Sequence, residues 1–290
     1  MINFALQTIN HLKNQFYMEQ FSYHKALKSV NISYLGATTQ SAKMQYSYNN
    51  GTETYCIYLA PATMARDKNH TYLNVCPRSK HCKDACLNGS GHNKIDILHN
   101  GVQGKINSAR IRKTHLFYDD RETFMRILIH EIHKYQAHAK KNNMEFAIRL
   151  NGTSDLSPLL FKLNGVNILD MFPNIQFYDY TKCANRLKLR KQYPNYDLTF
   201  SFDGYNWDTC EKYLNEGGKV AVVFDMVDEN GKQTLPTEYM GYKVIDANTT
   251  DTRFLDPKGC IMGLHYHRTA NDYKSGKYVP PTTKFIVRLN

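Results

Sequence analysis

Cys76, Cys82 and Cys86 stand within eleven residues of one another, in the stretch YLNVCPRSKHCKDACLNGSGH from Tyr72 to His92. Five residues separate the first pair and three the second. Thiolates are soft ligands, so three of them on one short loop point to a metal centre. The apolar run Tyr72–Val75 predicts a strand that delivers Cys76, and Pro77, with no N–H for a ladder, ends it. Gly89 and Gly91 follow and let the backbone approach a bound group closely. Three thiolates suit zinc, with a fourth ligand from His81, His92, Cys56 or a distant residue. The paired CxxC knuckles of structural zinc are absent. Three thiolates equally suit a four-iron, four-sulfur cluster that leaves one iron open to a small molecule.

A second stretch invites a metal reading and does not sustain it. His130-Glu131-Ile132-His133 places its histidines three apart, whereas the zinc-protease helix needs them four apart with Glu beside the first. Surface or packing roles are the expectation for both histidines.

The bulk of the chain limits the setting. Its 290 residues give room for one large α/β barrel or two smaller domains. No apolar run approaches the roughly 20 residues that span a bilayer. The opening MINFALQTINHLKNQF has no signal-peptide pattern. A cytoplasmic protein without a membrane partner is therefore expected, where thiols stay reduced. Seven cysteines in that compartment favour metal binding or catalysis over disulfides. A formal net charge of +11 suits a polyanionic partner, a nucleic acid or a nucleotide. A basic protein with no such partner is the plain alternative.

The elements that must position the cysteines follow from periodicity. Residues 4–19 read as an amphipathic helix, with Phe4, Leu6, Ile9, Leu12 and Phe16 near helical spacing. Residues 43–60 read as a hairpin turning at Asn50-Gly51, with Cys56 packed in its second arm. A helix is expected over 102–118. Another runs to about Lys141, capped by Asp119 with Glu122 three residues on.

From residue 145 onward, apolar runs end in polar residues. Phe146–Leu150 leads into Asn151-Gly152-Thr153-Ser154-Asp155, and Ile175–Tyr178 into Asp179-Tyr180-Thr181-Lys182. Leu198–Phe200 leads toward Asp203, Val220–Phe224 into Asp225, Lys243–Ile245 into Asp246, and Cys260–Leu264 into His265-Tyr266-His267. Helices over Leu156–Phe172 and Asn206–Glu216 connect them, the second stopped by Gly217-Gly218.

This is the rhythm of βα units feeding a parallel sheet. The expected fold is α/β, a complete or partial (β/α) barrel with parallel strands, plus an N-terminal helix and hairpin. Residues 1–42 form the N-terminal helix and lead-in, 43–279 a single barrel-like domain, and 280–290 a C-terminal tail. Barrel sites sit at the C-terminal ends of the strands, where a shared polar cleft is expected. Strand-to-helix loops are polar in any fold, and Ser154 or Asp155 can simply cap a following helix.

A three-cysteine loop after the first strand of such a barrel resembles the radical S-adenosylmethionine superfamily. Its usual spacing is CxxxCxxC, and this chain departs from it. The resemblance implies a [4Fe-4S] cluster on Cys76, Cys82 and Cys86, and S-adenosylmethionine as the second cofactor. Asn151, Gly152, Thr153 and Asp155 look like the counterpart of the superfamily's glycine-rich turn after the second strand, which contacts that cofactor. Asp179, Lys182, Asp203 and Asp225 would then line the substrate side as catalytic candidates.

More specifically, YLNVCP with the two later cysteines, SARIRKTHLFYDDR, RLNGTSDL, FYDYTK, NYDLTFS, VAVVFD and RFLDPKG are similar to a phage and plasmid family labelled gene product 88-like, over roughly residues 34–279. That resemblance implies a mobile-element protein in a bacterial cytoplasm and brings no activity with it. Two other functions remain open from the residues. One is a zinc-stabilised nucleic-acid-binding protein without catalysis, contacting phosphates through Arg110, Arg112, Lys113, Arg186, Lys188, Arg190 and Lys191. The other is a zinc hydrolase that activates water at an open metal position.

Overall fold

The apolar runs that recur after residue 145 are strands of one sheet. The structure, a computed structural model, describes residues 21–101, 104–269, 272–274, 277–278 and 281–289. The helix expected over 4–19 lies outside the described residues. The strands are β1 (Gly36–Ala37), β2 (Thr52–Ile57), β3 (Glu145–Arg149), β4 (Gln176–Thr181), β5 (Tyr196–Ser201), β6 (Lys219–Phe224), β7 (Glu238–Tyr239), β8 (Tyr242–Asp246), β9 (Ile261–His265) and β10 (Ile286–Val287). They pair in the order β1-β2-β3-β4-β5-β6-β9-β8-β7, with β10 also on β6. All pairs are parallel except β1 on β2 and β7 on β8 at the two ends. The result is a mixed α/β fold around a mostly parallel sheet. Lys43 donates to the Ala247 carbonyl at 2.8 Å and so bridges segments that flank opposite ends of it.

Side chains alternate across a strand, and here the two faces differ in kind. Tyr55 and Ile57 of β2, Ile148, Phe177, Tyr196 and Leu198 pack on one face with helices α4 (Lys105–Asp119) and α5 (Arg121–Lys141). Helix α6 (Trp207–Asn215) continues this layer with Cys210, Tyr213 and Leu214 against Phe200, Val220 and Val222. On the other face the connection after β8 is tied down by polar groups. Arg149 Nη1 donates to both Asp251 oxygens at 3.0 Å, Tyr178 Oη donates to Asp251 at 3.0 Å, and Lys219, paired with Asp197 at 2.8 Å, donates to the Arg253 carbonyl. Buried charges of this kind persist only when paired.

Four expectations about elements are corrected. Residues 42–49 are a helix, α2 (Ala42–Asn49), not a hairpin arm. Ser41 caps it by accepting from Met44 N, and Gly51 at φ +86° ends it. Asn-Gly favours left-handed backbone, which serves a helix C-terminus as well as a two-residue hairpin turn. Tyr72–Val75 is not a sheet strand, because Tyr72 forms only an isolated bridge with Arg66. Its apolar side chains are spent on packing, with Val75 fully buried. Leu156–Phe172 is not a helix but a short turn at Pro158–Leu160, a hairpin of Lys162–Leu163 with Val166–Asn167, and one turn of helix at Ile168–Met171. Asn164-Gly165, both at positive φ, makes that hairpin turn. Finally, Asp120 caps α5 by accepting from Thr123 N at 3.0 Å, while Asp119 ends α4.

Two earlier helices complete the described set of longer ones, α1 (Tyr23–Ser29) and α3 (Gly91–Asn100). Residues 286–287, expected within a tail, are a strand of the sheet. Among the described residues no helix is long and apolar enough to cross a membrane.

Candidate functional site

Three loops meet at the C-terminal ends of the parallel strands. The loop after β3 joins the other two. Asp155 N donates to the Val75 carbonyl at 2.8 Å, next to Cys76, and the Cys76 thiol lies 3.6 Å from the Thr153 carbonyl. On its other side, Lys182 N donates to Asp155 Oδ2 at 3.0 Å. The Asn151–Asp155 loop and the cysteine loop therefore share one end of the sheet.

Close packing sets the shape of this loop. Gly152 N donates to the Ile57 carbonyl at 2.9 Å. A Cβ on Gly152 would come within 2.8 Å of Cys56 Sγ, the Ile57 carbonyl and Tyr58, so glycine is needed for close approach. Cys56 is fully buried beneath it, and burial pushes its thiol up to about 12. Thr153 Oγ1 donates to the Leu59 carbonyl at 2.6 Å.

Asn151 bonds at every polar group of its amide. Its Nδ2 donates to the Leu156 carbonyl and Asp179, and its Oδ1 accepts from Ser154 Oγ and Leu156 N. Asp179 also accepts from Asn151 N at 2.8 Å and is buried on β4. Burial raises its carboxyl to about 7 against the hydrogen bonds from Asn151.

Asp155 is held as tightly. Its Oδ1 accepts from Thr181 Oγ1 at 2.8 Å and from Arg186 Nη1 at 2.6 Å, and Arg186 Nη2 donates to its carbonyl. The Cys183 thiol lies 3.6 Å from Oδ2.

The cysteines form a common electrostatic environment with Lys182. Burial pushes the Cys76 thiol up to about 12 and raises Cys86 as well. Burial works against the Lys182 ammonium, but Cys82, Asp155, Cys76 and Cys86 outweigh it and hold its pKa above the ordinary value. Phe285 lies over the same ammonium, with 5.1 Å from Nζ to the ring centre. Thr283 donates to the His81 carbonyl at 2.6 Å, which pins the C-terminal segment to the cysteine loop. Arg110 stands on the Tyr58 ring at 5.3 Å and donates to Asn88 Oδ1.

A soft, thiol-rich donor set with a cation beside it fits an anionic thiolate-bound centre. Among the described residues, no group of three or more His, Cys, Asp or Glu side chains is gathered closely enough to hold a metal ion. The regular structure of the cysteine loop itself is a short turn at Lys83–Ala85.

The other sequence candidates bond to other partners, although the ring of Tyr205, two residues after Asp203, lies 4.4 Å from the His81 ring of the cysteine loop. Asp203 Oδ1 accepts from Tyr205 N at 3.0 Å, in the turn before α6. Asp225 pairs with Arg288 at 2.9 Å. Arg186 and Lys113 are buried, Arg190 donates to the Gly217 carbonyl at 3.0 Å, and Lys191 pairs with Glu216 at 3.0 Å. The seven basic residues expected to contact phosphates therefore do not form one exposed face.

Glu131 turns inward and accepts from Leu35 N, Gly36 N, Tyr23 Oη and Tyr55 Oη at 2.5–2.9 Å, while His130 stacks on Tyr23. Sequence reasoning missed Cys183, Phe285 and the inward role of Arg186. The signal for Arg186 was its place four residues after Lys182, on the short turn Ala184–Arg186.

The family model for Gene product 88 matches residues 27–279, and the chain belongs to that family. No curated protein and no solved structure matches it.

Proposed function

We propose that this member of the Gene product 88 family is a radical S-adenosylmethionine-like iron–sulfur enzyme of a mobile element, built on a partial (β/α) barrel. Cys76, Cys82 and Cys86 hold the cluster, and the loop Asn151–Asp155 forms the cofactor side. One observation carries the reading: the cysteine loop, the loop after β3 and Lys182 come together at the C-terminal end of a parallel sheet. When bound, a four-iron cluster with an open iron and S-adenosylmethionine supplies one-electron chemistry that side chains cannot.

The chain's own residues do the rest. Asn151 and Asp179 fix the loop, and Gly152 lets it lie against β2. Asp155 is a positioning residue that locks the Lys182 backbone and Arg186. Lys182 offsets the negative charge that deprotonated thiols bring, and Phe285 keeps water from its ammonium. Arg110, hydrogen-bonded to the neutral Asn88, and the net charge of +11 suit a nucleic acid or nucleotide substrate.

The test is elemental analysis after anaerobic purification. Iron and acid-labile sulfide near about four of each per chain support the reading. Zinc without sulfide overturns it in favour of a zinc-stabilised nucleic-acid-binding protein or a zinc hydrolase.

A further inference from the structure

At the opposite end of β2 from the cysteine loop, a cavity of about 380 Å³ opens between α2, the start of β2 and α5. Glu53 lines it, and only 1% of its side chain is exposed. One oxygen, Oε2, lies 2.8 Å from His138 Nδ1. The other, Oε1, has no hydrogen-bond partner among the described residues. A carboxylate buried this far needs donors for both oxygens.

The walls have the matching chemistry. The half-buried rings of Tyr48 and Tyr135 both line the cavity. Burial first, and then the charges of Glu131 and Glu53, push the Tyr135 hydroxyl up, as a negative field in this space demands. Lys134, exposed on α5, also lines the cavity and sets its Nζ 5.4 Å from the centre of the Tyr135 ring. The protein's own ammonium thus already sits near an aromatic face of the cavity that the buried carboxylate also lines. Thr39, at the same cavity, holds φ +59°, a strained conformation for a β-branched residue.

We propose that this cavity binds a primary alkylammonium, its charged nitrogen on Glu53 and its chain against Tyr48 and Tyr135. The cavity uses none of the residues of the cysteine site, so it stands or falls apart from the radical-enzyme reading. Lys134 is the internal competitor that an incoming amine displaces.

Saturation-transfer NMR on the full chain with n-butylammonium chloride, beside the uncharged alcohol 1-pentanol, tests this. The wild type should show transfer to butylammonium and not to pentanol. Glu53→Gln keeps the size of the side chain and an acceptor for His138, and should weaken binding at least about tenfold, the loss of one charge-assisted hydrogen bond. Lys134→Met, an exposed change that leaves the fold intact, should strengthen binding. A blocked Gly-Lys-Gly peptide run alongside separates the two carriers of the group: binding of the free amine alone assigns a small metabolite, and tighter binding of the peptide assigns a partner's lysine. No transfer to either amine, equal transfer to pentanol, or weaker binding in Lys134→Met overturns the proposal. Should Glu53→Gln fail to fold, the Lys134→Met comparison still decides it.

Discussion

Asp155 and Arg186 form a buried ion pair, Oδ1 to Nη1 at 2.6 Å, that ties the loop after β3 to the loop after β4. The pair is the hinge pin of the candidate site, because the same carboxylate holds Lys182 N and Thr181 Oγ1. Removing one partner of a buried pair leaves a charge without compensation, which costs about 3–5 kcal/mol. Asp155→Ala should therefore lower urea-unfolding stability by that order. Adding Arg186→Met should recover a large part of the loss, since the orphaned charge goes with it. A double variant no more stable than Asp155→Ala would show that the pair does not hold the loops.

The cysteines carry the next prediction. Cys76→Ala, Cys82→Ala and Cys86→Ala should each abolish the iron and sulfide of anaerobically purified protein. Cys210→Ala should not, because Cys210 is buried in α6 against Phe200 and Val220. Cys56→Ala is the sharper control: its thiol touches the space Gly152 leaves open yet lies on β2, outside the cysteine loop. Iron retained in Cys82→Ala but lost in Cys56→Ala would move the centre off the loop.

Much of this architecture is readable in the sequence, for a specific reason. Val220–Phe224 lies between neighbours on both sides of a parallel sheet with both of its faces covered, so its sequence is a continuous apolar run that stands out. The misreadings fell where one local signal has two uses. Asn50-Gly51 ends a helix while Asn164-Gly165 turns a hairpin, and only tertiary pairing separates them: β2 finds its partners in β1 and β3, not in residues 42–49. At the site, residue types were legible and their partners were not. Asp155, Asp179 and Arg186 all looked like groups for a ligand, yet each bonds to the protein across 28 to 31 residues of chain.

Glu131 illustrates the same point and yields a stability prediction. It accepts four hydrogen bonds, from Leu35, β1, α1 and β2, while its neighbours His130 and His133 pack on Tyr23 and Phe172. A glutamine there presents two N–H donors toward backbone N–H groups that need an acceptor. Each buried group left unsatisfied costs about 1–3 kcal/mol. Glu131→Gln should lower the melting temperature markedly, while His133→Gln should do so far less. Added zinc should rescue neither. Zinc-dependent stabilisation of the wild type that His133→Gln removes would reopen a metal role for this helix.

Asp179 ties the candidate site to pH. Its carboxyl is buried between β4 and Asn151, and burial raises it to about 7. In the unfolded chain an aspartate titrates near about 3.9. Between those values the folded protein holds a proton that the unfolded chain has released, so stability falls as pH rises. The contribution is complete below about pH 4 and lost as pH passes through about 7, with a slope of at most about 1.4 kcal/mol per pH unit. Asp179→Asn cannot ionise and should lose this slope. Other titrating groups act equally in both proteins, so the informative quantity is the difference between them. Measured by urea unfolding at steps from pH 4.5 to 8, that difference should move in favour of Asp179→Asn up to about pH 7 and level off above it. A difference that stays flat, or moves the other way, would mean that the hydrogen bonds from Asn151 outweigh burial and that Asp179 is an anion throughout this range. The loop would then be held by a charged brace, and Asp179→Asn should loosen it most at neutral pH.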